Sequence, residues 1–200
     1  MVVIAGAELF TGNNLMIASV LGKEYGVMRM LNRWALVYLS NFIGAVFLAF
    51  LTYRSGLWKM ASGALGARAV AIANAKVSLP FGEAFFRGIG CNWLVCLAVW
   101  MALSAKDVGG KILAIFFPIT AFVALGYEHC VANMYFIPMG LFLKGTASAA
   151  GTDLGLLTWG RLLTANLIPV TLGNIVGGAI FVGSTYWWVY ARDEGKKLLS

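Results

Sequence analysis

Gly126-Tyr127-Glu128-His129-Cys130-Val131-Ala132-Asn133 lies inside a long apolar stretch, and the same spacing recurs at Gly6-Ala7-Glu8-Leu9-Phe10-Thr11-Gly12-Asn13. Both read G-x-E-x4-N. After each comes an apolar helix, a loop and a second apolar span with a matching core, Asn41-Phe42-Ile43-Gly44-Ala45-Val46-Phe47 in one copy and Asn174-Ile175-Val176-Gly177-Gly178-Ala179-Ile180 in the other. One further full span, near Gly88 to Ala105, separates the copies, so equivalent spans run in opposite directions. The sequence therefore predicts an inverted repeat of helices.

Composition places that repeat in a bilayer. Of 200 residues, 60% are hydrophobic and 12% charged, against about 25% charged in an ordinary soluble domain. The mean hydropathy is +0.83. Charge-free runs mark the spans: Trp34 to Tyr53, Gly88 to Ala105 and Leu162 to Ala191 each suffice for a hydrocarbon core of roughly 30 Å, which about 20 helical residues cross. Ile112 to Leu143 is different, because Glu128 and His129 interrupt it at mid-depth. Ionisable groups there are costly and face a cavity or the bundle interior. We expect an all-α integral membrane protein and a single transmembrane domain over 1–200. Within it, 1–53 forms an incomplete first repeat, 54–80 a connecting loop and 81–191 a complete second repeat.

The copies differ in what precedes the break. Before Gly126 the second has a full span and a half-helix from near Phe81, whereas Met1 to Ala5 alone precede Gly6. The repeat thus predicts a helix and a half, about forty residues, missing from the first copy, with Met1 an internal methionine or the start of a truncated frame. A signal peptide does not fit, since no basic n-region or cleavage site is present.

The net charge of +7 comes from scattered residues with only Lys196-Lys197 adjacent, which is unlike a nucleic-acid-binding patch. Basic residues are denser in the short segments, Gly22 to Arg33, Lys106 to Lys111 and the tail from Arg192, than in the long loops. The positive-inside rule puts the short loops and the C-terminus in the cytoplasm of a multi-pass plasma-membrane protein. Cys91, Cys96 and Cys130 lack the spacing of a disulfide framework or zinc site, and no cofactor or metal is expected.

Backbone leaves the helix at membrane depth only where protein or water satisfies it, and paired breaks in two repeats point to a substrate path. The freed amides and half-helix N-termini carry partial positive charge, favouring small anions. Glycines that merely let helices approach closely are the alternative, and they leave Glu128 and His129 unexplained.

Three longer segments, Cys91-Asn92-Trp93-Leu94-Val95-Cys96-Leu97-Ala98-Val99-Trp100, Gly126 through Pro138, and Asn166-Leu167-Ile168-Pro169-Val170-Thr171-Leu172-Gly173-Asn174, resemble the signatures of formate/nitrite transporters in order and spacing. The resemblance covers essentially the whole chain. It implies a homopentamer of six-helix, aquaporin-like protomers, each with its own pore and with broken second and fifth helices. Here the first helix and part of the second are lacking. It also implies that His129 is the central histidine, Lys76 the loop lysine and Thr11 the threonine of the first break. Leu9, Phe10 and Phe122 would narrow the pore, and Asn92, Glu128 and Asn133 would be polar positions around it.

That assignment fits elementary solvation. An anion in a narrow apolar pore loses far more hydration than its neutral acid. Lys76 would draw the anion in, and His129, with an ordinary pKa near 6.5, would supply or polarise a proton. Ala132-Asn133-Met134-Tyr135-Phe136-Ile137-Pro138-Met139-Gly140 is closer to formate members, while Ile4 to Gly12 also resembles nitrite members. Formate is the expected substrate, with nitrite or hydrosulfide as alternatives and protons as the co-substrate. An aquaporin-type neutral channel predicts Asn-Pro-Ala at the breaks, and none is present. A membrane enzyme using His129, Cys130 or Glu128 would need a second histidine, a ligand cluster or a cofactor fingerprint, which the sequence lacks.

Overall fold

The computed structural model describes residues 2–149, 151 and 153–192. The C-terminal tail beyond 192, which the charge count assigns to the cytoplasm, lies outside the described residues. Every regular element among the described residues is helical. After a short turn, α1 (Val2–Ala5), the chain breaks and resumes through a 3-10 segment Gly12–Met16 into α2 (Ile17–Leu21). Then come α3 (Val27–Arg54), α4 (Ala64–Val77), α5 (Phe81–Ser104), α6 (Val108–Ala124), α7 (Cys130–Leu143) and a final span, α8 (Trp159–Ala191).

Three helices, α3, α5 and α8, are long and apolar enough to cross a membrane, while α6 and α7 are shorter and lie end to end across residues 125–129. The interrupted span is thus a pair of half-helices. Both breaks turn on a glycine in the left-handed region, Gly6 at φ +72° and Gly126 at φ +68°. A side chain at either site would find open space, so backbone conformation alone selects glycine.

The chain alternates between two ends. Segments 22–26 and 105–107 form a short-loop end, while 55–63 and 144–158 form a long-loop end. Accordingly α3 runs from short to long loop and α8 runs back. Segment 54–80, expected as a loop, holds the fourteen-residue α4, which packs on α7 with Val70, Ala73 and Val77 buried. Arg161 clamps its end, donating from Nε and Nη2 to the Val77 carbonyl at 3.2 and 2.9 Å.

The tightest helix crossing is α5 on α8. A Cβ on Gly88 would lie 2.8 Å from the Val170 carbonyl oxygen, and one on Gly177 would strike the Ile89 carbonyl. Without a hydrophobic force between helices in lipid, such close approach supplies the attraction. Here α8 is also wound wide, with π-helical turns over Leu162–Leu167 and Val176–Ser184. Wide turns of this kind mark functional positions, and the first of them carries the buried Asn166. By contrast α6 buries no residue, as befits an apolar face toward lipid.

Candidate functional site

The two breaks meet at the centre of the bundle. His129 ends the second break and caps α7, its Nδ1 accepting from the Ala132 amide at 3.1 Å. The ring's other nitrogen, Nε2, lies 3.0 Å from Thr11 Oγ1 of the first break. Because Nδ1 accepts, a neutral ring carries its proton on Nε2 and donates to the threonine oxygen. The Thr11 hydroxyl hydrogen is then free to donate elsewhere. Thr11 is fully buried and His129 is 7% exposed. The half-buried Phe122 lies nearly parallel to the imidazole, centroids 5.8 Å apart.

On the long-loop side, Glu128 collects three donors. Lys76 Nζ donates to Oε1 at 2.8 Å, and Asn133 Nδ2 and Asn166 Nδ2 donate to Oε2 at 2.6 and 3.3 Å. The Lys76 side chain, 15% exposed, belongs to the last turn of α4 and not to a loop, and it also lies over the Phe136 ring. Asn166 returns to the Lys76 carbonyl at 3.0 Å, tying α4 to the first wide turn of α8. A buried pair of this kind is sustained by the hydrogen bonds around it, since mutual attraction barely offsets lost hydration.

Asn92 stands behind Thr11. Its Nδ2 lies 3.1 Å from the Thr11 carbonyl, 2.8 Å from Asn14 Oδ1 and 2.7 Å from the Asn174 carbonyl, and Cys96 Sγ also donates to the Thr11 carbonyl. These bonds tie the first break to α5 and to α8. Gly178 provides the room, because a Cβ there would strike Asn92.

His129, Thr11, Glu128, Lys76, Asn133 and Asn92 thus form one connected polar centre. Phe10 lies apart from it, buried against α3 with its ring edge-on to Trp34 and Tyr38 at 6.0 and 4.9 Å. The neighbouring Leu9 is half-buried.

Asn174 and Asn41, matching positions of the two copies in sequence, hold the breaks themselves. Asn174 Oδ1 accepts from the Cys130 amide at 2.9 Å, and its Nδ2 donates to the Glu128 carbonyl at 3.0 Å. Asn41 repeats the arrangement, accepting from the Phe10 amide at 3.0 Å and donating to the Glu8 carbonyl at 3.1 Å. Their equal places in the two copies were the available signal.

Two half-helices meeting head-on in an inverted helical repeat, with an imidazole and a hydroxyl where they touch, define a membrane channel or transporter for small polar solutes. Residues 1–188 match the formate/nitrite transporter family model. The chain belongs to that family. It is 46% identical to a probable formate transporter of Methanothermobacter thermautotrophicus, covering 96% of this chain and 72% of the relative. It is 38% identical to the formate channel FocA of Escherichia coli K12, covering 96% and 70%. Among solved structures it resembles a pentameric formate channel with formate bound, with a TM-score of 0.83 and 38% identity over 96% of this chain and 78% of that one. An FNT family ion channel gives 0.80 and 35% over 93% and 70%.

Proposed function

We infer that this protein conducts formate through a pore in each protomer of a homopentamer in the plasma membrane. The observation that carries this reading is the contact between His129 and Thr11 where the two breaks meet. A small carboxylate there loses water and gains the Thr11 hydroxyl, which is free to donate because the histidine occupies its oxygen. Hydrogen bonds to a charged acceptor are worth about 1.5–3 kcal/mol each. That only partly replaces hydration, so crossing as formic acid, with a proton relayed near His129, is the lower-energy route.

Protonation has a structural correlate. A proton on Nδ1 would remove the acceptor that caps α7, leaving the ring free to turn from the Ala132 amide toward the path. Lys76 supports the reading at short range. Its charge is balanced by Glu128, so its influence falls on an anion already in the mouth and not on distant ones. Leu9 and Phe122 flank the breaks and are proposed to narrow the path. Phe10 is proposed to do so by bracing the first break against Tyr38. The chain acts by transport and not catalysis, and its C-terminus is assigned to the cytoplasm from the charge bias of the short loops.

The test is flux into proteoliposomes with formate, nitrite, hydrosulfide and glycerol at several pH values. Formate uptake that rises as pH falls is expected. Glycerol uptake without anion uptake would overturn the reading.

A further inference from the structure

The C-terminal end of α4, which carries Lys76, is capped by two different elements. The last four carbonyls of the helix, Asn74 to Val77, find no partner further along it. Ser78 serves the first two, donating from Oγ to the Asn74 carbonyl at 2.8 Å and from its amide to that of Ala75 at 3.2 Å. The final two are taken by α8. Asn166 Nδ2 donates to the Lys76 carbonyl, and Arg161 donates twice to that of Val77.

The first wide turn of α8 explains how both side chains reach one helix end. At 3.6 residues per turn, side chains five apart point about 140° away from each other. The i→i+5 bonding over Leu162–Leu167 widens the turn and brings Arg161 and Asn166 toward a common face.

Asn166 does more than cap. It is fully buried, and its carboxamide is used completely: Nδ2 also donates to Glu128 Oε2 at 3.3 Å, while Oδ1 accepts from Asn133 Nδ2 at 2.7 Å. A flipped amide would set its oxygen against a carbonyl and a carboxylate, so only one orientation fits. Glu128 Oε1 in turn accepts from Lys76 Nζ at 2.8 Å. The bonds close a ring that leaves Lys76 at its carbonyl, passes through Asn166 and Glu128, and returns to Lys76 at its ammonium. One carboxamide thus places both the lysine backbone and the carboxylate that receives its head, so the flexible four-carbon stem is fixed at both ends.

We propose that Asn166 is a positioning residue for the Lys76 ammonium, holding it ready at the long-loop mouth for an arriving small carboxylate. The inference rests on the formate reading and extends it, by tracing the affinity of that mouth for an anion to a side chain that acts through Lys76. A loose lysine gives up rotamer freedom when it meets an anion. A stem already held gives up little, so affinity rises without a new contact.

The experiment is a double-substitution cycle on formate flux in proteoliposomes, with Asn166→Leu and Asn166→Gln each made alone and together with Lys76→Gln. Leucine keeps the branching of asparagine and donates nothing, whereas glutamine keeps the carboxamide on a longer stem. For N166L the half-saturating formate concentration is expected to rise several-fold, with maximal flux little changed and glycerol permeation unchanged. A smaller rise is expected for N166Q. In the K76Q background neither substitution should move the half-saturation further, because the ammonium that Asn166 positions is gone. An equal rise with and without Lys76, or an N166L half-saturation equal to wild type, overturns the positioning role. N166Q decides by the same comparison where N166L does not fold. Wild-type protein that moves no formate sinks the transport reading and this role with it. Wild-type flux with a rise independent of Lys76 sinks this role alone.

Discussion

His129 has two duties that a single substitution can separate. It caps α7 through Nδ1 and meets Thr11 through Nε2. His129→Asn keeps a side-chain oxygen that can cap but removes the titratable ring. It should fold normally and carry formate with a flattened pH profile, read from flux at pH 5 to 8. His129→Phe removes the cap as well, costing about 1 kcal/mol of stability besides the pH response. An unchanged pH profile in both variants would refute a protonation role. Lys76→Ala should slow formate more than glycerol, and it strands Glu128 in a buried site, a loss of about 3–5 kcal/mol. Adding Glu128→Gln should restore thermal stability in detergent without restoring formate flux. Recovery of flux with stability would assign the pair a structural role only.

At the scale of elements, the breaks and the α5–α8 crossing govern the fold. Gly126→Val has room for its side chain but not the backbone, since φ near +68° is strained for a β-branched residue. A loss of about 1–3 kcal/mol is expected, visible as a lower unfolding temperature in detergent. Gly177→Ala instead meets the α5 backbone and should cost a similar amount by forcing the helices apart. The breaks were legible in sequence because a charged pair interrupts an apolar run and the motif occurs twice. Glu128 and His129 were legible for the same reason, while Thr11 was singled out only through the resemblance, and its contact with His129 comes from the structure. Other features were not legible. Segment 54–80 read as loop because α4, at fourteen residues with Arg68 and Lys76, is too short and too charged to mark a span, although its alanines favour helix. Asn41 and Asn174 stood out only as matching positions, since a lone asparagine in an apolar span shows neither which backbone it bonds nor from how far. The burial of Phe10 against α3 depends on the angle at which the first break enters, which no periodicity encodes.

At the scale of the whole molecule, the inverted repeat explains why polar residues cluster in a chain with so few. Nearly every buried polar or charged group, from Thr11 to Asn174, lies where the two halves meet. Large apolar side chains, Phe116, Phe117, Leu113 and Trp188 among them, are exposed on the outside of the bundle. Native mass spectrometry of detergent-extracted protein is expected to give five protomers, and a monomer that still conducts would refute the homopentamer.

The pairing of Lys76 with Glu128 has an electrical consequence. A pair that moves as a unit shifts no net charge, so rearrangement of Lys76 with Glu128 should couple weakly to membrane voltage. The substrate is different, because a bare anion crossing the field exchanges about 2.3 kcal/mol per 100 mV, whereas an anion accompanied by a proton exchanges none. The ratio of electrical current to chemical flux therefore measures how often the proton travels along.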